Sequence, residues 1–242
     1  MAPERHRQIV GAAALVAIAM MTVSSPQARA TDSRDKMRQE AARQSAKAAR
    51  ALDAIMLVPD KAIPRDLLTR AKAIAVFPQV LKVAFTIGGE GGRGVVSRRV
   101  GGGWDRPVFL RAGGASIGSQ FGASSTDFFL LLMNDDSVAA LMRDKFELGG
   151  EAGVAAGPVG REAGAATDAL MQAEVLSYSR SRGLFAGVNV KGIVLKPEDA
   201  LNLAVYNKTA EELLKEPADR DATTVSEPDV FARALSRYTG KS

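Results

Sequence analysis

The stretch Lys72-Ala-Ile-Ala-Val-Phe-Pro-Gln-Val-Leu-Lys-Val-Ala-Phe-Thr-Ile-Gly-Gly-Glu-Gly-Gly-Arg-Gly-Val-Val-Ser-Arg-Arg-Val100 opens a glycine-dense, strand-forming block that continues to Met133. Twelve of the 23 glycines fall between Gly88 and Gly122, interleaved with β-formers at Val83–Ile87, Val95–Val96 and Val108–Leu110. Short antiparallel strands meeting at tight turns account for this pattern, because glycine supplies the positive φ that hairpins need. The expected strands are Ile74–Phe77, Val80–Ile87, Gly94–Val100, Val108–Ala112, Ala115–Gly122 and Asp127–Met133, then Ala152–Ala156, Ala173–Arg180 and Val188–Val194. With helices on both sides of this block, the fold class is α+β: a mostly antiparallel, Gly-rich β sandwich or barrel-like sheet with packed helices.

Upstream, Asp35–Met56 carries helix formers without Gly or Pro. Lys36, Arg43, Lys47 and Arg50 share one face, and Met37, Ala41, Ala48, Leu52 and Ile55 lie about a third of a turn away. Such a basic amphipathic helix either lies on an anionic membrane or packs its apolar edge on the sheet with its basic face solvated. Pro64 opens a second short helix, Arg65–Ala71. Downstream, Asn134-Asp-Asp-Ser137 starts a helix whose Val138, Leu141, Met142 and Phe146 have the spacing of a buried face, ended by Gly149-Gly150. Pro197–Tyr206 reads as a short helix. Pro217–Val225 reads as a linker, and a terminal helix with Phe231, Ala234, Leu235 and Tyr238 on one face follows it, to dock on the domain or on a partner.

Met1–Ala30 has the form of a secretory signal peptide: basic Arg5–Arg7, an apolar-to-small run over Ile9–Val23, and the A-x-A site Ala28-Arg-Ala30. The expectation is export, with a periplasmic or envelope-associated chain after cleavage. Removal takes away the only histidine, His6, and the chain has no cysteine. A Ser-His-Asp triad, a Cys nucleophile and a His/Cys zinc site are therefore outside the reach of the remaining sequence. The net charge of +5 is mild and spread along the chain. It suits an anionic surface, and without an aromatic-rich basic stripe it does not point to nucleic acid.

Gly89-Glu-Gly-Gly-Arg-Gly94 satisfies G-x-G-x-x-G, yet a phosphate site of that kind needs a helix after the last glycine. Here Val95–Arg99 reads as a strand, so the run reads as a hairpin turn and no cofactor is expected. The acid pairs Asp135/Asp136 and Asp219/Asp221 read as a helix start and a polar linker; a hydrolase working through carboxylates alone would have to rely on such pairs. Lys82, Arg93, Arg98, Arg99, Arg106, Arg111, Arg180 and Arg182 lie near expected turns, where the guanidinium fork suits a phosphate headgroup. Arg98 and Arg99 project to opposite faces of their strand, so at most one serves any one surface. Trp104, the only tryptophan, reads as core, with a membrane-interface anchor as the other option.

Ala71–Pro78, Gly88–Val96, Gly103-Trp-Asp-Arg-Pro107, Ser116-Ile-Gly-Ser-Gln-Phe-Gly122, Thr126-Asp127, Gly157-Pro-Val-Gly-Arg161 and Ser177–Gly187 occur in an order that resembles the SYLF domain family, over roughly residues 37–208. Val205-Tyr-Asn207 departs from the Tyr-Tyr-Gly frequent there, and Ser119 replaces a larger apolar residue. The resemblance implies a lipid-binding module. Eukaryotic members bind phosphoinositides and have also been called actin-binding, while bacterial members are exported.

The expected organisation is a signal peptide (1–30), a basic amphipathic helix (31–60), a SYLF-like core (61–210), and a linker with a C-terminal helix (211–242). The expected function is non-catalytic binding of an anionic phospholipid membrane through Lys36, Arg43, Lys47, Arg50, Arg98, Arg99, Arg180 and Arg182. The alternatives are an envelope structural or protein-interaction module, for which an envelope protein would be the partner, and a carboxylate-dependent hydrolase. Actin binding has no evident meaning for an exported chain.

Overall fold

The computed structural model describes residues 26–58, 62–84, 88–101, 103–116, 122–141, 143, 145–150, 152–160, 173–181, 184–216 and 229–240. A ten-stranded, strongly curled sheet forms its middle layer. Its strands are β1 (Ala73–Ala84), β2 (Gly88–Val100), β3 (Gly103–Trp104), β4 (Val108–Ser116), β5 (Gly122–Leu132), β6 (Phe146–Glu147), β7 (Val154–Ala156), β8 (Val175–Ser181), β9 (Leu184–Gly187) and β10 (Val194–Pro197). They run in the order β6-β10-β4-β2-β1-β5-β8-β7, with β3 on β2 and β9 on β8. All of these pairings are antiparallel except β7 with β8. The helices are α1 (Pro26–Met56), α2 (Arg65–Arg70), α3 (Asp135–Ala140), α4 (Asp199–Tyr206), α5 (Ala210–Lys215) and α6 (Val230–Thr239).

Strand β1 reads as a continuous apolar run because both of its faces are covered. Ala73, Ala75 and Phe77 face one core layer, together with Val96, Leu110, Leu130, Val138 of α3 and Leu213 of α5. Ile74 and Val76 face the other, with Val95, Phe109, Phe129, Tyr178, Leu201 of α4 and Phe231 of α6. Helix α1 joins that second layer through Ala41, Ala48, Leu52 and Ile55, all buried. Its apolar edge is thus packed on the sheet, and the option that this edge enters a membrane is corrected.

Several local expectations change. The glycine run Gly88–Gly94 is the body of β2, not a turn, and its glycines serve close approach. A Cβ on Gly94 would stand 2.6 Å from the Val76 carbonyl oxygen and overlap the Cδ1–Cγ edge of the Phe77 ring, and one on Gly92 would stand 2.7 Å from Val80 Cγ2. The expected strands Ile74–Phe77 and Val80–Ile87 form one strand, β1, with a bulge between Phe77 and Val80 where Gln79 has φ 55°; residues 85–87 lie outside the described residues. Strand β4 runs on to Ser116 and β5 starts at Gly122, and 117–121 of the expected Ala115–Gly122 strand are not described.

The helix after Asn134 is real but short. Asn134 Oδ1 accepts from Ser137 N at 2.8 Å, yet the helix ends at Ala140. Phe146 instead pairs with Leu195 in β6, because a residue buried in the same layer can be reached by a strand as well as by another helical turn. The expected strand Val188–Val194 is replaced by β9 and β10 on either side of a turn, where Gly192 has φ 84° and the Asn189 side chain accepts from Lys191 N. Helix α5 was not expected, though Thr209 and Glu212 form a reciprocal capping box.

The terminal helix α6 docks on the domain: its Phe231 N donates to Ser45 Oγ of α1 at 3.1 Å. Helix α1 starts at Pro26, ahead of the expected Asp35. Residues 1–25 of the signal-peptide reading and the linker 217–225 lie outside the described residues. Among the described residues, no helix is long and apolar enough to cross a membrane.

Candidate anion-binding face

The register of the sheet gathers basic side chains that are far apart in sequence. Arg93 of β2 stands opposite Arg111 of β4, and Arg111 stands opposite Lys196 of β10. Lys145, one residue ahead of β6, continues the row beside Lys196, since the next residue Phe146 pairs with Leu195. Opposite residues of antiparallel strands project to the same face. Arg93 and Arg111 lie two residues from Val95 and Phe109, which face the α1 layer, and Lys196 and Lys145 alternate with Leu195 and Phe146, which face the other, so all four cations lie on the α1 side of the sheet.

A row of like charges opposes folding unless something offsets it. Glu198, at the start of α4 and only 5% exposed, does so at one end. Its Oε1 takes Arg93 Nε at 3.1 Å and both Nε (3.2 Å) and Nη2 (3.1 Å) of Arg111. Glu40 of α1 adds a second contact to Arg93 at 3.4 Å and pairs with Arg43 at 3.0 Å. Helix α1 is thereby tied to the row. At the other end, among the described residues, Lys145 has only Glu147 at 3.8 Å, and Lys196 is exposed with no ion pair. This end lines a pocket of about 420 Å³ formed by Arg111, Lys145 and Lys196 with Ala112, Gly113, Gly114 and Val194.

The expected site residues divide into two groups. Lys36, Arg43, Lys47 and Arg50 are all exposed on α1. Lys36 pairs with Asp32 at 2.6 Å, while Lys47 and Arg50 have no ion pair among the described residues. The strand arginines are engaged inside the domain. Arg99 donates to the carbonyls of Ala71 (3.0 Å) and Leu68 (2.7 Å), capping α2, and its guanidinium lies 4.2 Å from the Trp104 ring centre. Burial lowers its pKa. Trp104 itself is half-buried against the core and donates to Thr239 Oγ1 of α6 at 2.7 Å. Arg98, on the opposite face from Arg99, is half-buried, with Nε and Nη2 lacking hydrogen-bond partners.

Arg180 binds Asp127 Oδ2 through Nε (2.9 Å) and Nη2 (2.6 Å), and Asp127 Oδ1 accepts from Gln79 N at 2.8 Å. That pair braces the β1 bulge. Arg182 lies outside the described residues, as do Asp219 and Asp221. Asp135 and Asp136 are exposed in the first turn of α3, with Asp135 3.3 Å from Lys72. Sequence reasoning missed Lys145, Lys196 and Glu198, which only the pairing of β10 with β4 and β6 brings to Arg111.

The model of the protein family described as Ysc84, Las17-binding protein actin regulator, matches residues 113–236. The chain belongs to this Ysc84 (SYLF) family. The match passes residue 208, where the expected resemblance stopped, and takes in most of α6. LAS seventeen-binding protein 3 of Saccharomyces cerevisiae is 38% identical over 161 residues, covering 64% of this chain and 35% of that protein. SH3 domain-containing YSC84-like protein 1 of Homo sapiens is 34% identical over 150 residues, covering 61% of this chain and 44% of that protein. The chain therefore corresponds to between about a third and just under half of these relatives' length. The yeast relative is named for binding Las17, and the family model for Las17 binding and actin regulation.

Proposed function

We propose that this chain is a non-catalytic binding module that docks, after export, on an anionic phospholipid surface of the cell envelope. The observation that carries this reading is the arrangement of α1. Its apolar edge is in the core, its Lys36, Arg43, Lys47 and Arg50 point outward, and Glu40 joins it to the Arg93–Arg111–Lys196 row on the same side of the sheet. With the apolar edge unavailable, attachment is led by charge, each basic residue near an anionic membrane contributing about 1 kcal/mol.

Flotation of Thr31–Ser242 with vesicles tests this. Binding to phosphatidylglycerol or cardiolipin vesicles, absence of binding to neutral ones, and sharp loss at high salt are expected. Binding that ignores lipid charge or salt would refute it.

A second reading is favoured by the relatives' names, which include Las17-binding: the module binds a protein partner of the envelope. An apolar protein contact would survive the salt that strips a charge-led one from vesicles.

A further inference from the structure

We infer that the pocket at the Arg111–Lys196–Lys145 end of the row is a discrete site for a single phosphate group, distinct from the diffuse charge of α1. This rests on the anionic-surface reading and sharpens it.

The row is asymmetric. Where Arg93 and Arg111 meet, the buried Glu198 carboxylate accepts from both and settles their repulsion. One strand further on no such acid is present among the described residues: Lys196 is unpaired there, and Lys145 has the Glu147 carboxylate at 3.8 Å. Arg111 spends Nε and Nη2 on Glu198, which fixes the plane of its guanidinium and leaves Nη1 to face other ligands. Two ammonium groups and an oriented guanidinium therefore converge on one concavity of about 420 Å³. That set of donors matches the several oxygens of a tetrahedral phosphate better than a planar carboxylate, which a single guanidinium already saturates.

The remaining walls also fit. Gly113 pairs with Val194 directly beside Arg111 and Lys196, so the strands alongside the cations carry one glycine and one small apolar side chain. The group can thus come close to the cations, and an uncharged remainder can rest on Val194. Placing three cations on adjacent strands is costly without an anion, and a bound phosphate removes that cost. The chemistry is shared by free phosphate, soluble phosphomonoesters and a lipid headgroup with a terminal phosphate.

The test is calorimetric titration of the full chain with inorganic phosphate, glycerol 3-phosphate and a short-chain phosphatidic acid below its micelle concentration. Saturable one-to-one binding of at least one of them is expected. Comparable affinity for all three would mark a general phosphate site, and preference for phosphatidic acid a lipid headgroup site. Lys196→Gln and Lys145→Gln replace exposed side chains and should each weaken binding by at least tenfold, while Lys215→Gln on α5, which packs on the opposite side of the sheet, should leave it unchanged. Absence of saturable binding to all three probes, or binding that the Lys196 and Lys145 variants do not alter, would overturn the site. If phosphate binding fails while the anionic vesicles still bind, the pocket falls and the charged-surface reading stands. If both fail, both fall.

Discussion

Arg93 and Arg111 face each other directly across β2 and β4, and both reach the same oxygen of the buried Glu198 carboxylate, at 3.1 Å from Arg93 Nε and 3.1 Å from Arg111 Nη2. The pairing of two strands and the start of α4 are thus joined at one atom. Because α1 reaches Arg93 through Glu40, the same cluster sets how the basic helix sits on the sheet.

Glu198→Gln should accordingly destabilise the domain. It keeps the shape but removes the charge that holds two opposed guanidinium groups, a loss of about 1.5–3 kcal/mol by the scale of hydrogen bonds to charged groups. Denaturant melts at low and high salt would read it. Salt should narrow the difference from the parent chain by screening the repulsion between the exposed ends of the arginines. Equal stability of the two chains at low salt would contradict this role.

The β1 bulge depends on Asp127. Asp127→Ala removes both the acceptor for Gln79 N and the partner of Arg180, for an expected loss of roughly 2–3 kcal/mol. Gln79→Gly should do the opposite, holding or raising the melting temperature, because φ 55° is a conformation glycine adopts freely. A fall in melting temperature for Gln79→Gly would show that its side chain matters more than its backbone.

Gly94→Ala tests why the glycine run is there. The new methyl would overlap the Phe77 ring and the Val76 carbonyl, an overpacking that costs about 1–3 kcal/mol. Gly91→Ala, whose nearest neighbour would be 3.8 Å away, serves as the tolerated control. Equal stability of both variants would contradict the close-approach role of Gly94.

The buried Tyr178 and the half-buried Tyr206 make the fold sensitive to alkali. Burial, helped by the charge of Asp66, raises the pKa of Tyr178, and burial with Asp229 does the same for Tyr206. Both phenols stay neutral in the folded chain above pH ~10, where the unfolded ones ionise. Their contribution is therefore full below pH ~10 and is lost as pH rises towards the folded values, by about 1.4 kcal/mol per pH unit for each phenol. Tyr206 Oη donates to the Pro107 carbonyl at 2.9 Å, whereas Tyr178 Oη is buried with no hydrogen-bond partner among the described residues. Tyr178→Phe should hold or raise stability at neutral pH and halve the alkaline slope in denaturant melts. An unchanged slope would contradict it.

Most of the strands and the apolar stripe of α1 were legible because each rests on spacing along one segment. The α+β class followed from them. The fine placement of glycine was not: a glycine in a turn and a glycine under a neighbouring ring look the same in sequence. The site was legible only where a helix presents it. Lys36, Arg43, Lys47 and Arg50 could be placed on one face by periodicity alone, whereas Arg99 and Arg180 are indistinguishable in sequence from free surface arginines, and their structural partners are distant segments. Lys145 and Lys196 become neighbours of Arg111 only through the sheet register, which no local pattern specifies.

The most direct measurement is flotation of Thr31–Ser242 and its Lys47→Glu/Arg50→Glu variant with phosphatidylglycerol vesicles at low salt, with thermal melts of both to compare folding. Lys47 and Arg50 are exposed and unpaired among the described residues, so the variant should fold as the parent does. Its affinity for the vesicles should fall at least tenfold. Undiminished binding by a folded variant would contradict attachment through the basic face of α1.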